Sequence, residues 1–134
     1  MRIYATKSEL QILNVLWNAG APLTRSEILE RSEGEKTWKD NSIHILLNGM
    51  LKKGLVEEAG FTRSGKVWGR LYGAAVTPEE QYRDLFLSPV LDPVTVFGIL
   101  LERQDTDTRT LDKLQDALAA ARARQENGSA RPDV

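Results

Sequence analysis

Residues 42–54 read SIHILLNGMLKKG. At about 100° per residue, a helix over 40–53 places Ile43, Leu46, Leu47 and Met50 along one side. Asn41, Ile45, Asn48 and Lys52 then face the other way, with Ser42, His44, Gly49 and Lys53 on the two flanks. The first side is a buried stripe. The second carries residue types suited to a DNA major groove: asparagine bonds adenine through two hydrogen bonds, an aliphatic chain rests on a thymine methyl, and serine or lysine reaches phosphate or guanine. The same composition also describes a solvated face. His44 reads either as a locally hydrogen-bonded flank residue or as a donor to phosphate. Gly49 costs on the order of 1 kcal/mol relative to alanine inside a helix, and marks either a close backbone approach or simple tolerance.

Upstream, Thr6 and Glu9 have capping-box spacing ahead of Leu10, Ile12, Leu13, Leu16 and Trp17, and Gly20 follows as a stop. After the short extended piece APL, Thr24 and Glu27 repeat the spacing before Ile28 and Leu29. The polar segment SEGEKTWKDN intervenes, and Asp40 or Asn41 is placed to cap the next helix, which stops at Gly54. LVEEA and KVWGRLYG read as two strands flanking the turn GFTRSG. Helix, extended piece, helix, helix and hairpin together predict a mainly α fold: a winged helix-turn-helix domain with a two-stranded wing over residues 1–77. Arg63 and Lys66 stand near the wing tip, where basic residues meet a phosphate backbone or merely aid solubility.

Beyond Thr77 the pattern is helical again. Pro78 and Pro93 sit at first-turn positions, and Asp107 or Thr108 caps a last helix with a stripe of Leu111, Leu114, Leu118 and Ala121. Leu85, Phe86, Val96, Phe97, Leu100, Leu111, Leu114 and Leu118 offer more apolar surface than three short helices bury by themselves, so residues 78–125 are expected to be a helical dimerisation region. Residues 126–134 are expected to be a disordered tail.

The 134 residues suit one core or a small domain with a helical appendage. With 41% hydrophobic and 28% charged residues, and no apolar run near bilayer length, the expectation is a cytoplasmic protein without a membrane segment or signal peptide. No cysteine and one histidine leave no thiolate or multi-histidine metal site, and no cofactor motif is present. There is no G-x-S-x-G elbow, and carboxylate pairs such as Glu57-Glu58 and Glu79-Glu80 suit solvated faces, so no enzyme is expected. The net charge of −1 is uneven: residues 1–77 hold eleven Lys and Arg against eight Asp and Glu, and residues 78–134 hold seven against eleven. Only the first part, at +3, favours a polyanion.

The run TWKDNSIHILLNGMLKKGLVE, a wing ending in Tyr72, the following VTPEEQY and the early LQILNVLWNAG together resemble the penicillinase repressor family, of the BlaI/MecI type, over most of residues 5–124. Ser42, Ile43, Leu46, Leu47, Leu51, Lys52, Lys53 and Gly54 fit its pattern; His44 and Gly49 stand where the family commonly has arginine. The resemblance implies a homodimeric transcriptional repressor that binds a pseudo-palindromic double-stranded DNA operator. Asn41, Ser42, His44, Ile45, Asn48, Lys52, Lys53, Arg63 and Lys66 are the expected DNA-contacting set. The other reading is a winged-helix protein-interaction module that has lost DNA. Release by a sensor protease at an Asn-Phe bond, or by copper at a cysteine cluster, would be familial. Here Ile99-Leu100 occupies the cleavage position and cysteine is absent, so an unknown inducer, or a protease with another cleavage sequence, is implied as the remaining partner.

Overall fold

The computed structural model describes residues 4–64 and 67–129. Helix α1 spans Lys7–Ala19 and α2 spans Arg25–Ser32, each opened by a complete capping box, Thr6 with Glu9 and Thr24 with Glu27. Gly20 closes α1 in the left-handed region at φ 68°, where its amide reaches the Leu16 carbonyl. Between them, strand β1 is the two residues Leu23–Thr24. The third helix, α3, spans Ile43–Lys53. Neither Asp40 nor Asn41 caps it: Asp40–Ser42 form a 3-10 turn that runs into the helix, and Asp40 is ion-paired with Lys36. At the other end the Gly54 amide donates to Leu51 and the Leu55 amide to Met50, a Schellman closure that turns the chain sharply into the sheet.

The first wing strand, β2 at Val56–Ser64, is longer than the sequence suggested, while β3, at Val67–Ala74, has the expected length one residue further along. Residues 61–64, expected in the turn, pair with 67–70 instead. The six-residue turn is thereby replaced by a register shift between Glu58 and Phe61, at whose centre Gly60 has φ 109°. β1 pairs with β3, making a three-stranded antiparallel sheet of order β1-β3-β2. The sheet, α1, α2 and α3 close on one core of Ile12, Leu13, Leu16, Leu23, Ile28, Ile43, Leu47, Met50, Leu55, Val56 and Tyr72. Trp17 Nε1 donates to the Val76 carbonyl at 2.9 Å and so ties α1 to the exit of β3.

Thr77 caps α4, Pro78–Phe86, with Pro78 in its first turn. Tyr4 donates to Asp84 on that helix, and the first compact unit runs through Leu87, past the Thr77 boundary expected from sequence. Leu85 and Phe86 thus lie in the winged-helix unit, both exposed.

The second unit, from Ser88, contains α5, Pro93–Leu100, capped by Asp92, and α6, Thr108–Ser129, whose Thr110 amide donates to Asp107 at 2.8 Å. α6 continues through residues 126–129, Glu-Asn-Gly-Ser, four residues into the tail expected to be disordered, although only Glu126 among them is a good helix former; residues 130–134 lie outside the described ones. Phe97, Leu100 and Leu114 line one hollow of about 280 Å³. Val96, Phe97 and Leu114 are half-buried, Leu100, Leu111 and Leu118 are exposed, and no described residue after Leu87 is fully buried.

Candidate nucleic-acid interface

Core packing decides which side of α3 faces out. Ile43, Leu47 and Met50 are sunk in the core and Leu46 is half-buried, which leaves Ile45, Asn48 and Lys52 exposed on the opposite side. Ile45 is 76% exposed. Asn41, in the 3-10 turn, is also exposed, and Ser42 is half-buried at its end.

The two flanks of α3 have separate fates. Lys53, expected among the DNA contacts, turns toward α1, where its Nζ lies 2.7 Å from Glu9 Oε1. The same oxygen accepts the Thr6 amide at 2.9 Å. Burial pushes the Glu9 carboxyl up, but the hydrogen bonds from Lys53 and from the Thr6 amide, with the lysine's charge, outweigh it and hold the group below its ordinary value of 4.5. Lys53 thus joins two helices rather than adding to the outward face. Gly49 lies on this inner flank as well: a β-carbon there would sit 3.7 Å from Glu9 Oε2, an ordinary contact, so the glycine meets α1 and not an open surface.

His44, on the other flank, is exposed and has a guanidinium beside it. Arg25 Nη1 lies 3.0 Å from His44 Nδ1. Arginine only donates, so Nδ1 accepts and the ring proton sits on Nε2, directed away from the arginine. Sequence reasoning missed Arg25. Its position just after the Thr24 cap marks it as the first residue of α2, but nothing local reveals that α2 and α3 bring it to His44.

On the wing, Arg63 is exposed and lies 5.9 Å from the centre of the Trp68 ring. Lys66 falls outside the described residues. Arg70 is paired with Glu58 at 2.9 Å. Between α3 and the wing lies a cleft of about 470 Å³, with Arg25, Ser26, His44 and Asn48 on its helical side and Phe61, Trp68 and Arg70 on the wing side. Of the expected contacts, His44 and Asn48 therefore meet at one concavity, while Ile45 and Lys52 extend the exposed helix face beyond it.

The family profile of the penicillinase repressors matches residues 5–120. The chain belongs to the penicillinase repressor family. Among solved structures, this family member is similar to the Bacillus licheniformis BlaI monomer in complex with the blaP half-operator, at 19% identity over 58% of this chain and 88% of that one, with a TM-score of 0.43. It is also similar to Bacillus subtilis PadR in complex with operator DNA, at 14% identity over 88% of this chain and 72% of that one, with a TM-score of 0.45. No curated protein sequence matches it. The penicillinase repressor fold seen here is the winged helix expected from the sequence, mainly helical with a small antiparallel sheet. Among the described residues no group of His, Cys, Asp and Glu is placed to hold a metal ion, and no helix is long and apolar enough to cross a membrane.

Proposed function

We propose that this protein is a homodimeric transcriptional repressor that binds a pseudo-palindromic DNA operator, one winged helix on each half-site. The observation that carries the reading is the outward face of α3, where Ile45, 76% exposed, stands beside Asn48 and Lys52 on the side opposite the core stripe. An aliphatic side chain left mostly in water beside a carboxamide and an ammonium adds little to the core, but the three together match a thymine methyl, an adenine edge and a phosphate. Family membership supports the same conclusion.

In this reading Asn41, Ile45 and Asn48 read A·T pairs, while Ser42, Lys52, Arg63 and Lys66 hold the backbone. Lys53 has no direct part because it is spent on Glu9. Residues 88–129 supply the dimer contacts, since Val96, Phe97, Leu100, Leu111, Leu114 and Leu118 leave apolar surface that a two-fold partner covers. In this reading the protein works where the DNA is, in the cytoplasm, and has no catalytic role.

Footprinting of the pure protein on the DNA upstream of its own gene, followed by salt-titrated gel shifts on the protected site, tests the proposal. Binding should weaken steeply with ionic strength. Asn48→Ala should cost about 1–3 kcal/mol on the protected site and little on random DNA. An equal loss on both would remove the base-reading role of Asn48, and no salt-dependent binding at all would leave the protein-interaction reading.

A further inference from the structure

The inner face of the wing has a two-residue period that shows where it points. Phe61 pairs with Arg70 and Arg63 with Trp68, so all four lie on one face of the hairpin, and Tyr72, two residues beyond Arg70 on that face, is buried in the core. The face therefore turns toward the helices, yet Phe61 and Trp68 are each 62% exposed. They are not core residues that failed to fit. They form the open wall of the cleft whose other wall is Arg25, Ser26, His44 and Asn48.

We propose that this cleft seats one sugar-phosphate strand of the DNA, with phosphate oxygens on Arg25 and on His44 Nε2–H and deoxyribose rings against Phe61 and Trp68. The proposal rests on the reading of α3 as the DNA-reading helix. Three observations point to this occupant. Among the described residues no carboxylate lines the cleft, whereas the Arg25 guanidinium, an imidazole, a carboxamide and a serine hydroxyl do, which suits a polyanion; Arg70 also lines it, with its charge already paired to Glu58. The Arg25 bond to Nδ1 leaves Nε2–H as an outward donor, so the two side chains present a joint pair of donors that neither helix offers alone. Aromatic faces beside cations accept the apolar C–H side of a sugar whatever the base attached to it. Because Asn48 belongs both to the cleft and to the outward face of α3, a strand held here runs along the groove that α3 reads. The contact adds affinity and register without sequence preference.

The test uses the full chain with two duplexes, the footprinted operator and a random sequence of equal length, each titrated over a range of salt. Arg25→Ala and Trp68→Ala should each lower affinity about tenfold on both duplexes alike, and Trp68→Phe should keep most of it. Arg25→Ala should also lower the slope of log affinity against log salt by about one, while Trp68→Ala leaves that slope unchanged. Native-like affinity in both variants, with Asn48→Ala still impaired, overturns the cleft and leaves the function standing. A loss confined to the operator overturns it too, since a backbone contact has no sequence preference. A native protein that binds neither duplex overturns the function and the cleft together. Both side chains are exposed, so melting temperatures should be unchanged; should Trp68→Ala prove unstable, the salt slope of Arg25→Ala decides alone.

Discussion

In the winged-helix unit Ile12, Leu13, Ile28 and Met50 are wholly withdrawn from solvent, whereas after Leu87 Val94 is 80% exposed, Ile99 60% and Leu118 56%. The difference does not come from composition, since α5 is more apolar along its length than any helix of the first unit. It comes from the number of surfaces available. In the first unit three helices and a sheet converge on one volume, so an apolar stripe on each element finds others to pack on. The second consists of two helices, and a helix pair leaves its remaining apolar faces outward. The first unit carries its stability within one chain. In the function proposed above, the second is completed by a second copy.

The largest expected effects test that contrast as a pair. Leu47→Ala, in the core of the first unit, should cost about 2–5 kcal/mol in urea denaturation, independent of protein concentration. Leu118→Glu, on α6, should leave the winged-helix transition in place and shift sedimentation from dimer to monomer. If Leu118→Glu changes neither sedimentation nor concentration dependence, the uncovered face of the second unit is not a dimer surface and the contrast is broken.

A smaller effect belongs to the link between α1 and α3. Lys53→Met leaves the Glu9 carboxylate in its buried place without its ammonium, and should cost about 1–2 kcal/mol at neutral pH. The sign with pH follows from the lowered value of Glu9 in the folded chain. Its stabilisation is fully present above the ordinary glutamate value of 4.5 and is lost as pH falls through the lower folded value, so the native protein and Lys53→Met should converge on acidification. Denaturation at a series of pH values checks this, and a gap that persists in acid would show that Lys53 acts by packing rather than by charge. The smallest change is Gly49→Ala, which should stabilise by at most about 1 kcal/mol, because the added methyl makes only an ordinary contact with Glu9. A loss on thermal melting would mean that the methyl disturbs the Glu9–Lys53 pair.

Much of this was legible along the chain because it depends on neighbours. Thr6 with Glu9 and Thr24 with Glu27 each satisfy helix-end amides across three residues, and Gly20 and Gly54 end helices through their own left-handed conformation. The buried stripe of α3, and with it the exposed position of Ile45, follows from helical period. The interface was only half legible. Asn48 and Lys52 stand where the period put them, but Lys53 was counted with them because a helical wheel shows direction and not what waits there.

Sequence by itself thus determined which segments are helices and strands, where most of them begin and end, and which face of α3 is apolar, since hydrogen bonds and side-chain period act within a few residues. Only the tertiary structure decided that Lys53 is held by Glu9, 44 residues away, that Arg25 meets His44 across 19 residues, and that β1 joins β3 to give the wing a third strand. Those contacts depend on how separate elements come together around the shared core. An ionic or hydrogen-bonding side chain takes whichever partner that packing brings within about 3 Å, and no local pattern encodes the choice.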